Sequence, residues 1–313
     1  MFLLLLACAE SAKPTPQPEA DAVEPLAPPQ AGEGFQIDMF TTAPAYSEVW
    51  ACEVYKLPTS EVANVNRVEY QQNPGTHHLT LSTTTSFGTD LVPGTYECDS
   101  LYQASLMKNQ IMFFGAQGDA EGVMQLPEGV AAQLPGDLTV VHEIHYVNTS
   151  AEDVELYSRI NGWTIPSEEV VDGIWGGSVR DEHINVPPSS THTEWSRCVM
   201  NEDVEVLFLA SHTHALGVAF TIAPFDGIET GPVFYENDDW HNPMITQYEA
   251  PLVVPAGQGF EWACTWTNPA DQLVEYGLTA ADEMCNMTVV FTPFSVTAAC
   301  EVVETSDGVL WQP

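Results

Sequence analysis

The sequence predicts an all-β protein in two domains. Short runs rich in Val, Ile, Thr and aromatic residues recur between Pro, Gly and Asn turns. No long stretch carries a helical period. The 313 residues exceed a typical single domain, which suggests two. In chain order the strand-like runs are "GFQIDMF", "HHLTLSTT", "LTVVHEIHYVN", "VEVLFLA", "VAFTIAPF", "GFEWACTWTN" and "MTVVFTPF". Many short strands of this kind indicate β-sandwiches or jelly rolls. "SLYQASLMKN" reads as a turn or two of helix. A loop-like region, "TIPSEEVVDGIWGG", places a domain boundary near residue 167. The two expected domains are therefore residues 34–167 and 168–313.

Residues 1–8 end in Leu5-Leu6-Ala7-Cys8, after an apolar run too short to span a membrane. "LLAC" resembles a bacterial lipoprotein cleavage box, in which Cys8 becomes the lipidated first residue. The basic segment that normally precedes such a run is missing, so the start is expected to be incomplete. Residues 9–33 are rich in Pro, Ala and Glu and read as a disordered tether. The chain is thus expected to be an exported bacterial lipoprotein, periplasmic or at the cell surface. Its only membrane contact would be the lipid at Cys8.

Seven Lys and Arg stand against 44 Asp and Glu, a formal net charge of −37. Such a surface repels nucleic acid and anionic membranes and excludes both as direct partners of the folded part. It is compatible with a salty habitat. It also leaves a strongly anionic substrate few anchors. Apart from Cys8, six cysteines remain: Cys52, Cys98, Cys198, Cys264, Cys285 and Cys300. In an exported chain an even set suggests three disulfides, whose pairing spacing alone does not choose.

Six of the nine histidines fall into three close pairs. His212 and His214, in "SHTHALG", follow the apolar run "VEVLFLA". On a strand, residues two apart share a face, so two imidazoles there can close on one metal ion. His77 and His78 are adjacent and face opposite ways in a flat strand. Both reach one ion only at a strand end or a bulge, which Gly75 just upstream would permit. His142 and His145 are three apart, so only one of them shares a face with a given ligand set. Met284, beside Cys285 in "DEMCNM", offers a soft thioether that favours copper, above all Cu(I).

Taken together and in order, "HHLTL", "HEIHYVN", "HTHALG" and "DEMCNM" resemble the copper type II, ascorbate-dependent monooxygenases, the family of peptidylglycine α-hydroxylating monooxygenase and dopamine β-hydroxylase. The resemblance covers roughly residues 40–305. It implies two tandem β-sandwich domains of jelly-roll type, each holding one copper ion. It implies His77, His78 and His145 as ligands of an electron-transfer copper, selecting His145 over His142. It implies His212, His214 and Met284 as ligands of a catalytic copper. The disulfides implied are Cys52–Cys98, Cys198–Cys300 and Cys264–Cys285; a further bridge near the "HH" motif of other members is absent.

The reaction so implied takes two electrons from ascorbate or a similar reductant and inserts one oxygen atom of dioxygen into a substrate C–H bond. The substrate would be a small molecule, and a monomer is expected. Peptide-hydroxylating members anchor a substrate carboxylate with an arginine and a tyrosine at positions occupied here by Ala210 and Thr288. A neutral or cationic substrate therefore fits better than peptidylglycine. Two rival classes are an exported copper-binding lipoprotein, for storage or relay without hydroxylation, and a structural lipoprotein with relic motifs. Six intact ligands argue against the second.

Overall fold

The computed structural model describes residues 24–103, 110–240, 243–277, 279 and 281–308. Cys8, most of the expected tether and His241 lie outside them. The described chain is almost entirely β. Its first part forms β1 (Gly34–Ala43), β2 (Glu48–Lys56), β3 (Ala63–Gln72), β4 (Thr76–Thr84) and β5 (Gly94–Glu97). A short helix, α1 (Cys98–Gln103), follows where a helical turn was expected. Then come β6 (Gln110–Gln117), β7 (Glu121–Gln125), β8 (Val130–Leu134), β9 (Thr139–Val147) and β10 (Val154–Thr164). After β11 (Asp172–Gly173) the second part begins with β12 (Trp175–Arg180), β13 (Asn185–Val186), β14 (Ser190–Met200), β15 (Val204–His212) and β16 (Gly217–Phe225). It ends with β17 (Tyr235–Asn237), β18 (Ile245–Val254), β19 (Gly259–Asn268), β20 (Val274–Glu275), β21 (Asn286–Thr292) and β22 (Cys300–Thr305).

The N-terminal part pairs two sheets, β1-β10-β3-β8-β11 with β7 on β3, and β5-β2-β9-β4-β6. One apolar cluster draws from both, including Ile37 and Ile160 from the first and Leu79, Phe114 and Val140 from the second. The C-terminal part pairs β12-β21-β15-β18 with β17-β16-β19-β14-β22, beside a small β13-β20 ribbon. Its core again joins the two sheets, Val206, Leu209 and Val289 meeting Phe260, Trp262 and Trp266. Alternation explains the packing. Along β19, Phe260, Trp262, Cys264 and Trp266 all turn inward because residues two apart share a face. Strand β9 departs from alternation, and its first seven residues are all buried. It is the middle strand of its sheet, and its second face is covered by α1, which the Cys52–Cys98 disulfide ties to β2. The other disulfides join Cys198 to Cys300 and Cys264 to Cys285.

Chain leaves the first set of sheets at β11, which lies parallel to β8. Leu126, Leu207 and Phe208 are buried together where the two parts meet, with Met124, Ile174 and Val290 against them. Each such burial is worth roughly 1.5–3 kcal/mol, so the junction has an apolar seat. Before β1, main-chain atoms of Glu24, Leu26 and Ala27 are gripped by the side-chain amides of Gln71, Gln36 and Asn161. No helix among the described residues is long and apolar enough to cross a membrane.

Candidate metal centre

Strand β4 runs against β9 with His78 opposite His145. The register slips between Thr76 and His78, after Gly75 at φ +83°. A bulge at His77 is what two adjacent side chains need to turn the same way. The three rings of His77, His78 and His145 then form a near-equilateral triangle, with centroids 5.0, 4.9 and 5.0 Å apart. One nitrogen from each lies within 4.8 Å of the others. His142, three residues before His145, points to the opposite face. It is fully buried between Tyr55 Oη at 3.0 Å and Ser158 Oγ at 2.9 Å. Burial pushes its pKa down to about 3, so it stays neutral.

Two carboxylates stand behind the triangle. Glu143 Oε1 lies 2.7 Å from His78 Nε2, and Glu48 Oε1 lies 2.7 Å from His145 Nε2. A carboxylate accepts, so each Nε2 carries the proton and each Nδ1 presents its lone pair. The Nδ1 atoms of His77 and His78 approach to 3.0 Å. Burial alone would raise the Glu143 carboxyl. The hydrogen bond and charge of His78, with Trp50 and Tyr102 beside it, hold it below its ordinary value. Tyr102 Oη donates to Glu143 at 3.2 Å and its ring stacks on Trp50 at 4.9 Å.

His212 ends β15, and His214 lies two residues on, with ring centroids 5.3 Å apart. Here the partners take the other nitrogen. His212 Nδ1 meets Gln117 Oε1 at 3.1 Å, and His214 Nδ1 donates to the Asp282 carbonyl at 2.9 Å. Both rings therefore present Nε2. Asn286, the cross-strand partner of His212, donates to Met284 Sδ at 3.2 Å. Burial is the main force lowering the pKa of His145, His212 and His214; for His212 the charges of the other histidines add to it. These rings are neutral at pH 7, the form in which imidazole binds metal. The two groups abut, His77 and His214 being 6.4 Å apart between centroids.

The donor set fits copper. Imidazole suits copper in either oxidation state, and two imidazoles with a thioether favour Cu(I). Residues 175–312 match the copper type II ascorbate-dependent monooxygenase family, C-terminal domain. No curated protein matches the chain.

Glu283, which is not among the ligands expected from the sequence, organises this C-terminal domain. It is 1% exposed, and it accepts from the backbone N–H of Leu216 at 2.7 Å, of His214 at 2.9 Å and of Met284 at 3.3 Å, and from Trp266 Nε1 at 3.0 Å. One carboxylate thereby ties the His214 loop to the Met284 loop. The Cys264–Cys285 disulfide anchors the residue after Met284 to β19. Ala210 and Thr288 are cross-strand partners on the face of the sheet that carries His212. By register, Arg180 lies opposite Asn286 on the same sheet, and its guanidinium is tied to Glu182 at 2.9 Å.

Proposed function

We propose that the protein is a copper-dependent monooxygenase that hydroxylates a substrate C–H bond with dioxygen and two electrons from ascorbate or a similar reductant. One observation carries the reading: two histidine groups abut across the domain junction, and His78, His145, His212 and His214 each have one ring nitrogen on an oxygen acceptor, which leaves the other to a metal. His77, His78 and His145 would hold an electron-transfer copper through Nδ1. His212 and His214, through Nε2, and Met284 would hold a catalytic copper. Bound copper supplies one-electron transfer and the activation of dioxygen. The protein's own residues hold His145, His212 and His214 neutral, fix the tautomers of these rings and of His78 and, through Glu283, keep the two halves of the second site together. The two parts of the chain correspond in this reading to the family's paired jelly-roll sandwiches.

The substrate is a small neutral or cationic molecule. Ala210 and Thr288 leave the floor beside His212 uncharged, and Arg180 is neutralised by Glu182. The chain is further proposed to work outside the cytoplasm as a monomer tethered by lipid at Cys8, which the mass of the mature N-terminus would reveal.

The deciding experiment has two stages. Copper-loaded, desalted protein should retain two ions per chain. It should then consume oxygen with ascorbate only when a suitable substrate is supplied. Two bound ions without substrate-dependent uptake across a broad panel of amines, phenols and neutral C–H compounds would make it a storage or relay protein. One ion or fewer would refute the two-site reading.

A further inference from the structure

The C-terminal histidine pair is not completed by its own domain. His214 finds its Nδ1 acceptor at Asp282, in the same domain. His212 finds its acceptor at Gln117, the last residue of β6 in the N-terminal part. The hydrogen bond behind His212 therefore crosses the junction. We infer that Gln117 is a positioning residue that fixes the His212 tautomer across the domain junction, so that the second metal site reaches full affinity only when the N-terminal domain is docked against it.

Three features support this. The amide is fixed from its other end, since Gln117 Nε2 donates to the Trp240 carbonyl at 2.9 Å. With Nε2 so engaged, the atom facing His212 is Oε1, which only accepts. His212 Nδ1 must then carry the proton, and Nε2 is left with the lone pair. The backbone of Gln117 is fixed as well, because it pairs with His78 in the β4–β6 ladder. A residue held opposite one ligand of the first group thus orients one ligand of the second. The apolar seat around Leu126, Leu207 and Phe208 holds the domains in the relation that the bond requires.

The inference rests on the copper reading, and the test separates the two. Full-length protein is titrated with Cu(I) against a competing chelator, as wild type, Gln117→Leu and Gln117→Glu. Loss of the partner that orients a ligand histidine typically costs 10–100-fold in metal affinity. Gln117→Leu should therefore weaken one ion about 10–100-fold and leave the other at wild-type affinity. Gln117→Glu keeps the acceptor for His212 but loses the donor to Trp240. A positioning role predicts that it binds both ions close to wild type. A merely structural role, tying down the loop at Trp240, predicts that Glu fails as Leu does. Wild-type binding by Gln117→Leu, or equal weakening in both variants, would overturn the inference. If Gln117→Leu misfolds and loses both ions, the Glu variant decides alone: retention supports the proposal and loss overturns it. Wild-type protein that holds no second ion would instead overturn the copper reading, and this inference with it.

Discussion

The two histidine groups are built from the same side chain and present opposite ends of it. In the N-terminal group the Nε2 protons of His78 and His145 go to carboxylates, Glu143 and Glu48. In the C-terminal group the Nδ1 protons of His212 and His214 go to neutral oxygens, the Gln117 amide and the Asp282 carbonyl. The difference is electrostatic. A carboxylate behind an imidazole makes the ring a stronger donor and favours the more highly charged metal ion. An amide or peptide oxygen fixes the ring without that charge, and a Met284 thioether ligand would pull further toward Cu(I). In the proposed reading, two sites whose nearest rings lie 6.4 Å apart between centroids would thereby be set to different oxidation-state preferences, as a one-electron donor and an oxygen-activating acceptor require.

The largest effect should come from removing the thioether. Met284→Leu conserves volume, and such swaps usually cost less than about 1.5 kcal/mol of stability. It should leave the fold and the copper of His77, His78 and His145 intact while abolishing ascorbate-driven turnover. Copper absorption-edge spectroscopy should lose its sulfur scatterer in the reduced protein. A Met284→Leu protein with wild-type turnover and wild-type copper content would erase the asymmetry between the sites.

A smaller effect should follow from neutralising the carboxylates. Glu143→Gln should weaken Cu(II) at the N-terminal site by about 10–100-fold and leave the C-terminal site unchanged, as read by competition titration. Glu48→Gln should do less, because the Glu48 side chain is 50% exposed against 4% for Glu143, and water screens it. Equal responses of both sites to Glu143→Gln would show that carboxylate backing does not distinguish them.

The sequence made the strands legible because alternation is a local property. "VEVLFLA" became β15 and "LTVVHEIHYVN" became β9, with His212 at the end of the first and His145 on the second. Family resemblance, not spacing, separated His145 from His142; the structure places the two on opposite faces of β9. The supporting residues were harder to see for different reasons. Glu143 carried a faint signal, a charge inside an apolar run and two residues from His145, hence on its face. Its bond to His78, however, depends on the register of β4 against β9. Glu283 stands inside "DEMCNM", but its role is not local, because its partners His214, Leu216 and Trp266 are distant in sequence. Gln117 carried no signal at all, since its role exists only once two domains are docked.

The smallest effect concerns the histidine that the sites leave out. His142 is neutral in the fold, with a pKa near 3 against 6.5 when unfolded. The unfolded chain therefore binds a proton over this interval that the folded protein refuses. The contribution of this residue to stability is complete above pH 6.5 and falls as the pH drops from 6.5 toward 3. Between pH 7 and pH 5.5 the loss is about 1 kcal/mol, or a melting shift of about 2–4 °C in a domain of this size. His142→Gln can keep hydrogen bonds to Tyr55 and Ser158 but cannot titrate. Metal-free wild type and His142→Gln should therefore differ in how steeply their melting temperatures fall over this range, with the variant less steep by that amount. His145, His212 and His214 titrate in both proteins, so their contributions cancel in the difference. Parallel curves would mean that His142 is protonated in the fold, and that a face of β9 assigned to packing is electrostatically more like the metal-binding face than the comparison allows.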